Sequence, residues 1–276
     1  MISSTLVVIL AVLGHADAHG FIKQPSSRNW VAARDGLWWG GNVNTPLKES
    51  CPHCLNRGGM CGVSESGYAY NVPLNDFGDA LGKNIQATYT KGQEFDVEVV
   101  LKSHHKRHFE FYVCAEEPRT PSCFRPVEFV ADLLYNAPKH DVYPSRAYIP
   151  PSDYGLVPNS DFMGVIFRYR LKLPDDLEGD FVLLQWHYVT GNSCIHAGYR
   201  DCKWPADWNN PMGGLSQCGR LSPVGEGFPE QFWNCAEITI LGESSINDAN
   251  DPAPAPTDTP TKAFAPVPAP APTPHA

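Results

Sequence analysis

The sequence predicts an all-β fold, an antiparallel β-sandwich of the immunoglobulin-like or fibronectin-like kind with long, disulfide-stapled loops. Short segments alternate polar and apolar residues with a period of two, as in Glu94-Phe-Asp-Val-Glu-Val-Val100 and Phe109-Glu-Phe-Tyr-Val-Cys114. That is the pattern of strands with one buried face. No stretch sustains a helical period, and the connecting segments are dense in Gly, Pro, Asn, Ser and Cys.

Taken in order, the chain begins with the apolar run Leu6–Leu13, far too short to span a bilayer, which leads into Ala16-Asp17-Ala18. Residues 1–18 therefore read as a secretory signal peptide, although no Lys or Arg precedes the apolar run. A cut after Ala18 makes His19 the first residue of an exported, extracellular protein with no membrane span. From His19 to about Gly92 loops are expected, with one short helix at most. Trp30, Trp38 and Trp39 in this region are either core plugs or a stacking surface for sugars, and core is the safer reading for any one of them.

The strands over Glu94–Val100 and Phe109–Cys114 read as a β-hairpin or near neighbours, with His104, His105 and His108 at or beside the turn. Arg125–Phe162, rich in Pro and Tyr, exceeds ordinary connections and is expected to be a functional or mobile loop. Strand patterning returns at Gly164–Leu173, at Phe181–Val189 and at Cys235–Leu241, where β-branched residues join the alternation. Residues 19–241 form one domain on this reading. Beyond it, 242–276 collapse into Pro, Ala, Thr and Asp, a composition expected to stay extended and disordered.

All nine cysteines follow the predicted cut, so in an oxidising compartment disulfides are the default and at least one thiol lacks an intramolecular partner. Cys51-Pro-His-Cys54 with Cys61 has a superficial likeness to a zinc knuckle, and disulfides are preferred there too. The formal net charge of −9 argues against a nucleic-acid partner. Locally, Lys102-Ser-His-His-Lys-Arg-His108 is the one dense basic cluster; it reads either as a site drawing in an anionic ligand or as a solvated tip.

An N-terminal histidine offers an α-amine and a ring nitrogen from one residue, and copper accepts neutral imidazole well. The third nitrogen must come from another histidine. His104, His105 and His108 share the strand-end position. His53 is wedged between cysteines, His140 lies in the long loop, His187 inside an apolar strand, His196 in a cysteine loop and His275 in the tail. No carboxylate spacing singles out a glycosidase pair, and no Gly-x-Ser-x-Gly elbow marks a hydrolase.

Four motifs together resemble the lytic polysaccharide monooxygenases: His19-Gly-Phe with Pro25 and Ser27-Arg28; Ser103-His-His-x-x-His-Phe-Glu-Phe-Tyr-Val-Cys114; Leu184-Gln-Trp-x-Tyr-Val-x-Gly-Asn-Ser193; and Glu230-Gln-Phe-Trp-Asn-Cys-Ala-Glu-Ile238. The resemblance spans about residues 19–241 and is nearest to auxiliary-activity families fifteen and seventeen, the latter the oomycete pectin-directed type. It implies a histidine brace holding one copper, with His19 as the terminal member and His105 as the second ligand. His104 is the register-slip competitor and His108 a supporting or surface residue. It further implies Phe232 at the axial position, giving no oxygen donor, and Glu230 as a polar group that supplies or orients a proton. Such an enzyme uses an external reductant with H2O2 or O2 and cuts glycosidic bonds by oxidation.

Lys102, Lys106 and Arg107 could pair with uronate carboxylates, which points to pectin (homogalacturonan) before chitin or cellulose. A non-catalytic carbohydrate-binding protein or a copper-holding protein would share the fold and the disulfides. A monomer is expected.

Overall fold

The computed structural model describes residues 19–35, 49–55, 58–65, 67–71, 84–209, 214–221 and 229–242. The signal peptide, Trp38, Trp39, His275 and the tail beyond Gly242 lie outside the described residues.

Two sheets face each other. The smaller has four strands in the order β1 (His19–Gln24), β3 (Glu94–Ser103), β8 (Val165–Lys172) and β6 (Glu128–Asp132). The larger runs β2 (Ala87–Thr90), β10 (Gln231–Leu241), β9 (Gly179–Val189), β4 (His108–Cys114) and β5 (Arg125–Pro126), and β7 (Arg146–Tyr148) also pairs with β4. The pairings are antiparallel except that β2 joins β10 in parallel. The alternation read from sequence explains the layers. Phe95, Val97, Val99 and Leu101 of β3 face Phe109, Phe111 and Val113 of β4 across one core, which Trp186, Tyr188, Phe232, Phe167 and Tyr169 fill from neighbouring strands.

That facing arrangement corrects the hairpin reading. β3 pairs with β1 and β8, whereas β4 pairs with β9, so residues 104–107 cross from one sheet to the other rather than turn within one. Both strands bury their apolar faces in the same core from opposite sides, and a hairpin would have put both faces in one layer. The long segment after Arg125 is corrected too: it contains β6 and β7 and buries Tyr135 and Tyr148 in the core, so much of it is packed structure.

The one α-helix among the described residues, α1 (Arg28–Asp35), lies over the outside of the larger sheet, where Val31 and Ala32 meet Leu55, Cys61, Tyr70, Leu183 and Cys235. Arg28 there donates its Nε–H to Glu237 Oε1 at 2.9 Å and its Nη1–H to the Tyr70 carbonyl at 2.6 Å, which satisfies a charge almost wholly removed from water. Disulfides join Cys51 to Cys54, Cys61 to Cys235, Cys114 to Cys123 and Cys194 to Cys218, leaving Cys202 as the free thiol. The Cys61–Cys235 bond ties the N-terminal loops to β10 across 174 residues, and such long closures restrict the unfolded chain most.

Candidate metal centre

His19 opens β1 and pairs in register with Ser103, the last residue of β3. The next residues of the chain, His104 and His105, are therefore brought to the end of the strand that His19 begins. Gly20 makes the approach possible: a Cβ there would stand 2.8 Å from the Val100 carbonyl oxygen and 2.3 Å from Leu101 Cδ2. The other side of the site is β10. Asn234, fully buried, accepts the Ile22 N–H at 3.1 Å and donates to the Gly20 carbonyl at 3.4 Å, so its amide is used in tying β1 to β10. Phe232, two residues earlier on the same face of β10, has its ring centroid 6.0 Å from that of His19 and is itself 0 % exposed.

His105 is held from the end of β9. Its backbone N–H donates to the Tyr188 hydroxyl at 2.9 Å, its carbonyl accepts the Gly191 N–H at 2.9 Å, and its ring Nδ1 lies 3.2 Å from Asn192 Nδ2. The Tyr188 hydroxyl in turn donates to the Lys106 carbonyl at 3.1 Å. Lys106 and Arg107 both adopt positive φ, 59° and 81°, a costly conformation for residues with a Cβ that these bonds hold in place. His104 is turned inward: its Nδ1 accepts the Lys106 N–H at 3.3 Å, its ring packs toward Phe167, and burial pushes its pKa down to about 4.

His104, His105 and Lys106 with Gly191, Asn192, Gly214 and Leu215 line an open cleft of about 350 Å³. Lys102 is exposed on β3. Arg107 is not part of this rim, which corrects the sequence expectation: it is 2 % exposed, donates to the Cys194 carbonyl at 3.1 Å and lies over the Tyr199 ring. Its side chain fills the space against Gly191, where any Cβ would collide with it.

His108 is not a surface residue either. It is 1 % exposed, on the outer face of the larger sheet, with Nδ1 2.8 Å from the Tyr199 hydroxyl and Nε2 3.6 Å from Glu110. Phe232 lies beside His19, and its hydrocarbon ring has no donor atom to offer a metal. Glu230 is half-buried just before β10, and its carbonyl accepts the Thr190 N–H at 3.2 Å and the Thr190 hydroxyl at 2.9 Å.

Two residues near the site carry no role in the sequence reading. His53 has its ring centroid 5.0 Å from that of His19, and its carbonyl accepts the Gly20 N–H at 3.1 Å. Burial pushes its pKa down to about 4, so it stands as a neutral imidazole beside His19. Its only sequence signal is a position inside Cys-Pro-His-Cys, which reads first as a cysteine motif. Asn192, the partner of the His105 ring, sits inside the Gly-Asn-Ser of the third motif.

The donor set suits copper. The imidazole of His53 stands beside that of His19, and His104 and His105 follow Ser103 at the strand end opposite it; copper accepts imidazole readily. Cys51, His53 and Cys54 do come together, but both sulfurs are spent in the Cys51–Cys54 disulfide and offer no thiolate. This matches the preference for disulfides over zinc at that motif.

A profile of the family described as "lytic polysaccharide mono-oxygenase, cellulose-degrading" matches residues 19–238. The chain belongs to this family. It is accordingly a copper-dependent oxidoreductase that cleaves polysaccharide with an external reductant and O2 or H2O2. Among solved structures the monooxygenase is similar to an auxiliary-activity family fifteen lytic polysaccharide monooxygenase from Thermobia domestica in its Cu(I) state. The identity is 23%, with 80% of this chain and 98% of that one covered and a TM-score of 0.48. It is also similar to a family ten enzyme from Streptomyces lividans, at 14% identity, covering 80% and 99%, with a TM-score of 0.43. No curated protein matches the sequence. Among the described residues no helix is long and apolar enough to cross a membrane.

Proposed function

We propose that this monooxygenase is a secreted, monomeric enzyme whose brace is formed by His19 and His105, and that its substrate is pectin. The observation that carries the brace is the register of β1 on β3, which sets His19 opposite Ser103 and so beside the segment bearing His105. Removal of residues 1–18 would free the His19 amine as a second nitrogen from the same residue. Copper held there supplies one-electron redox chemistry to the reaction. The protein's own part would be to present the imidazoles, set the Phe232 ring as a hydrocarbon wall beside His19, exclude water with the core behind it, and offer the Glu230 carboxylate for a proton.

For substrate, the support is Lys106, which lines the cleft beside His105, with Lys102 exposed on the strand leading to it. Two ammonium groups near the reacting end favour a chain of uronates over a neutral glucan. With Arg107 buried, the basic rim is smaller than the sequence suggested. Cellulose is the second reading, favoured by the description of the matching family.

The test is to express the full chain with native processing, confirm by intact mass that it begins at His19, load copper, and incubate it with reductant and peroxide on homogalacturonan, cellulose and chitin separately. Oxidised uronic oligosaccharides from homogalacturonan alone support the pectin reading. Oxidised products from cellulose or chitin alone overturn it, and a mature N-terminus other than His19 removes the amine ligand.

A further inference from the structure

The end of β9 and the turn after it hold the backbone of His105 and one of its ring nitrogens. Tyr188 takes its N–H, Gly191 its carbonyl, and Asn192 its Nδ1. The last of these contacts decides which ring nitrogen carries the proton, and the decision is made two residues further back, at Thr190.

Thr190 is fully buried, and its hydroxyl has two oxygens within reach: the Glu230 carbonyl at 2.9 Å and Asn192 Oδ1 at 3.2 Å. A hydroxyl has one proton, and the shorter contact to Glu230 takes it. With the Asn192 amide placed so that Oδ1 faces Thr190, two oxygens meet with no hydrogen between them. A half-turn of that amide about its Cβ–Cγ bond exchanges oxygen and nitrogen and removes the conflict. Asn192 Nδ2–H then donates to Thr190 Oγ1, Thr190 Oγ1–H donates to the Glu230 carbonyl, and Asn192 Oδ1 is left facing His105 Nδ1, where it can only accept.

We propose that Asn192 is a positioning residue that holds His105 in the tautomer protonated at Nδ1, which leaves Nε2 as the nitrogen with a lone pair for copper. The proposal rests on His105 being the second imidazole of the brace. It joins the two sides of the site in one polarised chain, from the His105 ring through Asn192 and Thr190 to the backbone of Glu230, the residue proposed to handle a proton. It also separates the two candidate histidines: His104 Nδ1 accepts the Lys106 N–H, so its proton belongs on Nε2, the opposite tautomer.

The tautomer is readable without copper or substrate. In the 15N-labelled, processed, metal-free protein at a pH above the ring's titration, long-range 1H–15N correlation is expected to show His105 Nδ1 protonated and Nε2 bare. Asn192→Ala should shift the ring toward the Nε2–H form and weaken Cu(II) binding about tenfold in a competition titration. Asn192→Asp, which keeps an acceptor, should restore both. Because Asn192 is exposed, neither variant disturbs the core, and unchanged His108 and His196 resonances verify this. A wild-type ring protonated at Nε2, or an Asn192→Ala variant with tautomer and affinity both unchanged, overturns the proposal. Failure of the brace reading itself registers differently, as a His105→Ala variant that still binds copper tightly.

Discussion

His105 and His108 stand in one short basic stretch and end in opposite environments. His105 sits half-buried in the crossing between sheets, at the rim of a cleft, with its backbone and Nδ1 held from one side. His108 starts β4 on the outer face of the larger sheet, where Glu110 collects a group of partners. The Tyr112 hydroxyl donates to it at 2.6 Å, Arg146 Nε lies at 3.4 Å, and the rings of His108 and His187 at 3.6 and 3.7 Å. His187 spends its other nitrogen on Gln231 at 2.9 Å and stacks on Trp233. Burial alone would raise the Glu110 pKa, but the hydrogen bonds from His108 and His187 outweigh it and hold the carboxyl well below its usual range. The difference teaches that a histidine becomes available to a metal where the backbone leaves its sheet. Within a strand the neighbours on the same face claim both of its nitrogens.

Replacing each histidine in turn is the strongest way to break that comparison. His105→Ala is expected to weaken Cu(II) binding more than about a thousandfold, roughly 4 kcal/mol, while His108→Gln leaves affinity within a few-fold and lowers the melting temperature instead. Competition titration and thermal unfolding on both proteins measure it, and the reverse ranking would show that the wrong imidazole was chosen. Next in size is Glu110→Ala, which leaves Arg146, Tyr112 and two imidazoles without their shared acceptor. A loss of about 3 kcal/mol in denaturant unfolding is expected, with copper affinity unchanged.

A third effect is pH dependence of the metal-free protein. Burial first of all depresses His108 to about 3 and His196 to about 4, the latter despite the Thr190 carbonyl 3.2 Å from its ring. The folded state thus refuses protons that the unfolded chain accepts near pH 6.5. Their contribution is fully present above that pH and is lost as pH falls below it, by about 2 kcal/mol for each ring at pH 5. Glu110, also depressed, adds a loss at still lower pH. Melting curves that stay level between pH 7 and 5 would mean these rings are not shut in as described.

The smallest effects sharpen the roles within the cleft. Lys106→Ala should raise the concentration of homogalacturonan needed for half-maximal turnover several-fold, about 1 kcal/mol, and leave cellulose or chitin binding alone. His104→Gln should alter copper affinity by less than about threefold, since that ring belongs to the protein interior.

The sequence by itself determined the sandwich, because period-two alternation with one apolar face leaves few other ways to bury Val97, Val99, Phe109 and Phe111. It also determined the family and offered His19, His105 and Phe232 as the candidates for the site, since these sit in contiguous motifs. It carried the disulfide reading of Cys51 and Cys54 but left the odd thiol open, and the structure identifies Cys202.

Only the tertiary structure decided which strand pairs with which. Alternation is the same for a hairpin and for two strands in facing sheets, so the crossing at residues 104–107 was hidden. With it were hidden the burial of Arg107 and His108, which depends on the turn after β9 and on Tyr199 packing over this stretch from afar. The contact of His53 with His19 and of Asn192 with His105 was equally out of sight, because each joins segments distant in sequence through hydrogen bonds that no local pattern records. A residue's type and its motif can be read along the chain. Which nitrogen it offers is settled by the strands and turns folded against it.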